Sequence, residues 1–364
     1  MKKSLLLVLL CILISPACFA QASGKAAPRL AEYWEKLADG VVQCHLCPRN
    51  CVLRKGERGF CGVRINKDGA LYTFSYGNPI AIHVDPIEKK PFFHVYPGSS
   101  AFSLAVAGCN MRCLFCQNWE ISQARPDESM NYDLAPQAVA PAARENGCDF
   151  VVFTYTEPTT FFEYMRDCAR EAKASGLKVG MHSCGYVNPA PLKELLQYMD
   201  AVNVDIKGFS DEFYRKMGQG AELKPVLETL KTIHASGVWL ELTNLVIPGE
   251  NDDPKQIKAM CDWIQANLGS EVPLHFSRFV PAFRLQNLPP TPVSTLEDCR
   301  RIAMAAGLKY VYIGNVPGHP AENTYCPNCG KPVVRRAGYT ILENRIRKGH
   351  CEFCGAVIAG IWKD

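Results

Sequence analysis

Seven short apolar runs along residues 102–313 constrain this chain more than any other feature. They are 102–107 (FSLAVA), 149–154 (DFVVFT), 178–182 (KVGMH), 201–206 (AVNVDI), 238–246 (VWLELTNLV), 274–279 (LHFSRF) and 309–313 (KYVYI). Helix-period patterns separate them near 133–146, 159–174, 191–199, 222–236, 253–268 and 295–306. Strands that alternate with helices require crossover connections, and so a parallel sheet. Six or seven such units predict an α/β fold built as an open or partial (β/α)6-type TIM barrel rather than a closed eight-fold one. In either form the chemistry gathers at the C-terminal ends of the strands. The chain contains no glycine-rich dinucleotide fingerprint and no phosphate-cradling loop.

The flanks divide the remainder into four parts: a signal peptide at 1–22, a Cys-rich module at 23–100, the barrel at 101–320 and a small Cys module at 321–364. The first part, MKKSLLLVLLCILISPACFAQASG, has two lysines, an apolar run from Leu5 to Ile14 and then small residues. That is a secretory pattern, with cleavage after Ala20 or Ala22. The run is too short to span a bilayer, and Pro16 weighs against lipidation of Cys18. Residues 25 to about 40 predict a short amphipathic helix. The net charge of +4 comes with no basic stripe, which gives no support to nucleic acid binding.

Cysteine use is more informative. Eleven of the 18 cysteines fall in three groups with metal-type gaps, which read as metal sites rather than a disulfide framework. Cys109, Cys113 and Cys116 follow the first strand, where an α/β active site belongs. Three thiolates can hold three irons of a 4Fe–4S cube and leave the fourth open to a ligand. Cys44, Cys47, Cys51 and Cys61 could close either a zinc or an auxiliary iron–sulfur site, and their spacing does not separate the two. Cys326, Cys329, Cys351 and Cys354 form two Cys-x2-Cys-Gly knuckles, a zinc-ribbon or rubredoxin-like signal in which structural zinc is favoured over a single iron. Cys148, Cys168, Cys261 and Cys299 lie on or beside helical patterns and read as buried free thiols.

Cys-x3-Cys-x2-Cys after a first strand resembles the signature of radical S-adenosylmethionine (SAM) enzymes. The resemblance implies that the open iron chelates the amino and carboxylate groups of SAM. One electron then cleaves the sulfonium, and a 5′-deoxyadenosyl radical abstracts hydrogen from substrate. It further implies that Phe115 packs on the adenine. Thr156 and Glu157 of TYTEPT would meet the amino group, Asp205 the ribose and Lys207 the carboxylate, with Asn244 a further cofactor contact. An Asp205–Lys207 ion pair is the plainer alternative. An electron donor of flavodoxin or ferredoxin type is also implied.

HVDPIEKKPFFHVYPGS, CQNWEISQ, LVIPGENDD, GNVPGH, NTYCPNCG and GIWKD together resemble the radical SAM component of the AmmeMemoRadiSam system, which implies two companion proteins and does not name the substrate. This sequence departs from that pattern at Cys184, where relatives carry Asn, and at Val280, where they carry His; both are expected to face the pocket. A glycyl-radical activase is the alternative enzyme, and an exported, non-catalytic metal-binding or electron-transfer protein is the alternative from another class. The secretory pattern points to export or envelope anchoring, whereas cluster chemistry points to the cytoplasm.

Overall fold

A computed structural model describes residues 21–22 and 27–363, and all seven predicted runs form strands of one sheet. The strands are β1 (Ala81–Pro86), β2 (Ser100–Ala105), β3 (Phe150–Phe153), β4 (Lys178–Ser183), β5 (Ala201–Asp205), β6 (Trp239–Val246), β7 (Leu274–Arg278) and β8 (Val311–Gly314). They lie side by side in chain order. Neighbours from β2 to β8 pair in parallel, and β1 adds an antiparallel edge. The sheet is therefore mixed, with its chemistry-bearing strand ends all on one side.

The helices are α1 (Trp119–Ser122), α2 (Pro136–Glu145), α3 (Phe162–Ala174), α4 (Pro189–Leu196), α5 (Asp211–Met217), α6 (Leu223–Ser236), α7 (Pro254–Leu268) and α8 (Val293–Ala305). Proline opens α2, α4 and α7, where its missing N–H costs nothing. Gly237 ends α6 in the left-handed conformation (φ 78°). One face of the sheet packs against these helices. Val151, Phe153, Val179, Met181, Val202, Val204, Leu240 and Leu242 share a core with Val139, Met165, Leu195, Leu230 and Ile264. Each such side chain contributes about 1.5–3 kcal/mol by leaving water.

The opposite face is apolar only at its base. There Phe92 and Val95, from the segment joining β1 to β2, pack on Phe150, Val152 and Ala201. Higher up, the same face carries Asn203, Glu241, Thr243 and His275. The β1–β2 segment plugs this polar stretch with backbone: Phe93 and His94 donate their N–H groups to Glu241 at 3.0 and 2.9 Å, and Asn203 donates to the Pro91 carbonyl at 2.9 Å. His275 pairs with Glu241 at 2.7 Å.

The tail forms an antiparallel sheet of Thr324–Tyr325, Pro332–Ala337 and Thr340–Asn344, followed by a small hairpin. Its Val333, Val334, Ile346 and Ile358 close over Phe93, Tyr310 and Tyr312.

The predicted helix over 25–40 does not form within residues 27–40. Arg29–Leu30 pairs with the strand Ala70–Thr73, Trp34–Lys36 pairs with Val42–Cys44, and Asp39 (φ 55°) breaks any helical path. Pairing with the Cys-rich module overrides the local helical pattern. The secretory pattern falls on residues outside the described ones, apart from Gln21–Ala22, which pairs with Asn131–Tyr132. Among the described residues no helix is long and apolar enough to cross a membrane.

Candidate active site and metal centres

A cavity of about 760 Å³ opens where the strands end, and every strand from β1 to β8, or the loop after it, contributes to its wall. The loop after β2 brings Cys109, Cys113, Phe115 and Cys116 to that wall. Its path is set at Gly108 (φ 101°), where a Cβ would lie 2.6 Å from the Cys61 carbonyl oxygen. That approach lets the Cys109 N–H donate to the same carbonyl at 3.1 Å. Leu114 N–H is tied to the Met217 carbonyl of α5 at 3.1 Å, and the Cys116 sulfur lies 3.3 Å from the Ser122 hydroxyl of α1. Burial raises the Cys109 thiol to about 12 and the Cys113 thiol to about 11. Both would stay protonated in the bare protein, so metal binding here must release protons.

Cys184 is a fourth cysteine on this cavity. Its S–H is directed at Asn110 Oδ1, 3.6 Å away, and burial holds its pKa well above the ordinary value. The loop after β2 by itself brings three thiols to the wall, which suffices to hold three corners of a cluster.

Asp205 and Lys207 reach the cavity from the end of β5 and form the ion pair that the sequence admits, with Nζ–Oδ2 at 2.8 Å. His182 Nε2 lies 2.9 Å from the other Asp205 oxygen. Burial opposes the charge on Asp205, but Lys207 and His182 outweigh it and hold the carboxyl well below its usual range. Burial likewise opposes the charge on Lys207, and Asp205 outweighs it. Lys207 Nζ also stands 5.8 Å over the Phe115 ring. One anion-binding group, one hydroxyl-binding group and one flat apolar ring thus line the same wall as the thiols.

Glu157 also lines this wall, but its carboxylate is already engaged. Oε1 accepts from the Thr159 N–H (3.1 Å), the Thr159 hydroxyl (2.8 Å) and the Ser183 hydroxyl (2.8 Å), and Oε2 accepts from the Cys184 N–H (2.7 Å). It ties the end of β3 to the end of β4. Thr156 donates its hydroxyl to the Val106 carbonyl at 2.8 Å and fixes the loop beside the cysteines. Asn244 is not brought to the cavity. Its neighbours Thr243 and Leu245 line it, and the two-residue period of a strand turns Asn244 away, to donate to the Ile206 carbonyl at 2.7 Å. Val280 is likewise not on the wall: it is 48% exposed, one residue beyond the buried Phe279.

A group that sequence reasoning left without a role stands at the other side of the cavity. Lys90, 1% exposed, pairs with Asp85 at 2.5 Å and donates to the Tyr155 hydroxyl at 3.0 Å, while Tyr155 donates in turn to Asp85. Burial lowers Lys90 to about 8. The motif HVDPIEKK carried these residues, but only folding brings Tyr155 to them.

Two more cysteine groups frame the molecule. In the tail, Cys326 and Cys354 sulfurs are 3.6 Å apart, and those of Cys329 and Cys351 are 3.8 Å apart. All four lie within 4.8 Å of one another. Four ligands around a single tetrahedral ion with bonds of about 2.3 Å stand about 3.8 Å apart, so this group is set to hold one metal ion. In the N-terminal module, Cys44, Cys47, Cys51 and Cys61 surround a small enclosed cavity. Cys148, Cys168, Cys261 and Cys299 are buried free thiols, as expected.

The Radical SAM superfamily profile matches residues 104–262, from the end of β2 to the middle of α7. An uncharacterized protein of Methanocaldococcus jannaschii is 46% identical over 332 residues, covering 91% of this chain and 98% of its own. The chain belongs to the radical SAM superfamily. It is also 27% identical to the pyruvate formate-lyase 1-activating enzyme of Escherichia coli over 150 residues, 40% of this chain and 61% of that one. A solved domain of pyruvate-formate lyase-activating enzyme from Bacteroides vulgatus aligns over 45% of this chain and 98% of its own, with 14% identity and a TM-score of 0.41. The chemistry typical of the superfamily is reductive cleavage of SAM by a 4Fe–4S cluster, giving a radical that abstracts hydrogen. In this radical SAM chain the profile spans the thiol triad, Glu157, Asp205 and Lys207.

Proposed function

We propose that this chain is the radical SAM component of the AmmeMemoRadiSam system, acting on a C–H bond of a substrate bound in the strand-end cavity. The observation that carries the reading is the convergence of Cys109, Cys113 and Cys116 with Phe115, Asp205 and Lys207 on one wall. The motifs running from HVDPIEKK to GIWKD support the subfamily. Because the wall draws on the ends of β1 through β8, the sheet must curve around it, which supports a partial barrel.

The chain's own residues supply positioning. The three thiols grip three corners of a cluster. Lys207 offers its ammonium to a carboxylate, and Phe115 offers a face to a planar base. Glu157 fixes the β3 and β4 ends so that backbone polar groups face the amino group of a bound cofactor. The β1–β2 plug and the tail close the far side of the cavity against water. Lys90 and Tyr155, held by Asp85 behind them, face the remaining space and would orient a polar substrate. The tight tail tetrad supports structural zinc. An electron donor of flavodoxin or ferredoxin type and the system's companion proteins complete the assignment. The need for cytoplasmic cluster assembly favours an enzyme facing the cytoplasm, with the N-terminal segment as an anchor.

Anaerobic reconstitution with iron and sulfide tests this. With dithionite and SAM the protein should release 5′-deoxyadenosine and methionine, and Cys113→Ala should abolish the release while the tail metal stays. Persistence of cleavage in that variant, or its absence from fully loaded protein, overturns the reading. Absence of cleavage would leave the exported, non-catalytic metal-binding protein. Similarity to the pyruvate formate-lyase 1-activating enzyme favours a second reading, a glycyl-radical activase. Under that reading, incubation with its partner would give a glycyl-radical signal.

A further inference from the structure

The geometry of the N-terminal module points to a second iron–sulfur cluster. Among the described residues, the tail sulfurs are the one group of metal-type ligand atoms all lying within 4.8 Å of one another. No three of Cys44, Cys47, Cys51 and Cys61 meet that spacing, although all four line one small cavity. A single tetrahedral ion would hold its four sulfurs about 3.8 Å apart, close to the spacing of the two tail pairs. A cube of four irons holds each sulfur on its own iron and spreads them. The triad of Cys109, Cys113 and Cys116 likewise falls outside that spacing. Among the described residues the leading quartet therefore shares the triad's looser placement and not the tail's.

The surroundings of the sulfurs agree. One of them receives a hydrogen bond from a buried guanidinium. Arg64 Nη1 reaches Cys44 at 3.7 Å. N–H donors aimed at sulfur set the potential of a cluster. The Arg64 guanidinium is fully buried at this cavity, and Leu46, Leu53 and Thr160 help to exclude water from it.

The quartet is also wired to the triad. Cys61, a ligand of one site, accepts through its carbonyl the N–H of Cys109, a ligand of the other, at 3.1 Å. Gly108 permits that approach, since any Cβ there would meet the Cys61 carbonyl at 2.6 Å. Asn110 lines the quartet's cavity and follows Cys109 directly in the chain.

We propose that Cys44, Cys47, Cys51 and Cys61 hold a fully ligated 4Fe–4S cluster, and that this cluster relays single electrons to the triad's cluster through the Cys61–Cys109 contact. A low-potential one-electron donor gives up one electron to the quartet's cluster and leaves oxidised by one. The quartet's cluster then passes that electron on and returns to its starting state. The relay half rests on the radical SAM reading above; the metal half does not.

Iron, sulfide and zinc content of the anaerobically reconstituted full chain tests the metal half without any variant. About eight irons and one zinc per chain are expected. About four irons and two zincs, one in each closed four-cysteine site, would overturn it. The triple variant Cys109→Ala/Cys113→Ala/Cys116→Ala should keep about four irons, with a reduced-state electron paramagnetic resonance signal unmoved by SAM. An iron-free triple variant that still binds zinc at both ends also overturns it. For the relay, Cys47→Ser/Cys51→Ser should retain the SAM-sensitive signal. Its reduction by reduced flavodoxin should slow at least tenfold, while reduction by dithionite stays near the wild-type rate. An unchanged flavodoxin rate removes the relay and leaves the cluster. If that variant does not fold, Cys51→Ala alone tests the relay, with a slowed flavodoxin rate expected and an unchanged one overturning the relay. A SAM-insensitive signal in wild-type protein that nonetheless holds about eight irons would sink the radical SAM reading instead.

Discussion

His94 is clamped between Tyr312 at the end of the sheet and Ala359 in the tail. Nδ1 lies 2.5 Å from the Ala359 carbonyl and Nε2 2.5 Å from the Tyr312 hydroxyl. A carbonyl can only accept, so Nδ1 carries the proton and Nε2 accepts from the tyrosine. A protonated ring would have to carry its charge inside a buried site and reverse that second bond. Burial accordingly lowers His94 to about 4. The neutral ring is the stabilised form, so stability is fully present above the unfolded value of about 6.5. It is lost as the pH falls through 4, by about 3 kcal/mol in all. Denaturant unfolding between pH 7 and 4 should show a steeper pH slope for wild type than for His94→Gln, by about one proton. Equal slopes would mean that His94 is not the titrating clamp.

Lys207 supplies the positive charge beside the thiols on the cavity wall. Substituting glutamine removes it and leaves Asp205 with His182 alone. If Lys207 binds the SAM carboxylate, the loss of one charge-assisted hydrogen bond is about 1.5–3 kcal/mol, roughly 10- to 150-fold in affinity. Calorimetric titration of iron-loaded Lys207→Gln with SAM should show that weakening at unchanged iron content. Unchanged affinity would confine Lys207 to its ion pair.

Gly108 is the hinge on which the cysteine loop meets the N-terminal module. Alanine there would adopt φ 101° and force a Cβ to within 2.6 Å of both the Cys61 oxygen and Val63 Cγ2. Backbone strain of this kind costs about 1–3 kcal/mol, and the clash adds to it. Gly108→Ala should therefore lower the unfolding midpoint and loosen iron at the triad. A variant as stable as wild type, with full iron content, would show that the loop can move aside freely.

The parallel core was legible because its signal is local and repeated. Each strand is an apolar run, each helix a 3.6-residue pattern, and their alternation leaves few topologies. The triad, Asp205 and Lys207 were legible because strand ends are where such a sheet exposes side chains. Asn244 was misread because motif position ignores the two-residue alternation that faces Thr243 and Leu245 inward. Val280 was misread because nothing local shows the chain turning at Phe279. The stretch 27–40 looked helical because its partners, Val42–Cys44 and Ala70–Thr73, lie outside any local window. The trio of Asp85, Lys90 and Tyr155 spans about seventy residues of chain, and only the pairing of β1 with β2 and of β2 with β3 closes that distance.

The tail tetrad gives the last test. Its four sulfurs are spaced for one ion, and the Ala356 N–H, with help from Asn328, lowers the Cys354 thiol and so eases its deprotonation. The tail has few apolar side chains of its own, and several of those it buries, among them Val333, Val334 and Ile358, rest on Phe93, Tyr310 and Tyr312 on and beside the main sheet. A module of that size would draw much of its stability from a metal held by the four cysteines. Cys326→Ser should therefore lose one metal ion per chain, and protease should cut the tail first. The surface that it covers includes Phe93 and His94, whose N–H groups anchor Glu241, so the loss should propagate as a lower unfolding midpoint for the whole chain. Iron at Cys109, Cys113 and Cys116 should remain, since none of the tail cysteines lines that cavity. Loss of triad iron in this variant would mean that the tail holds the strand-end cavity in shape as well as covering its base.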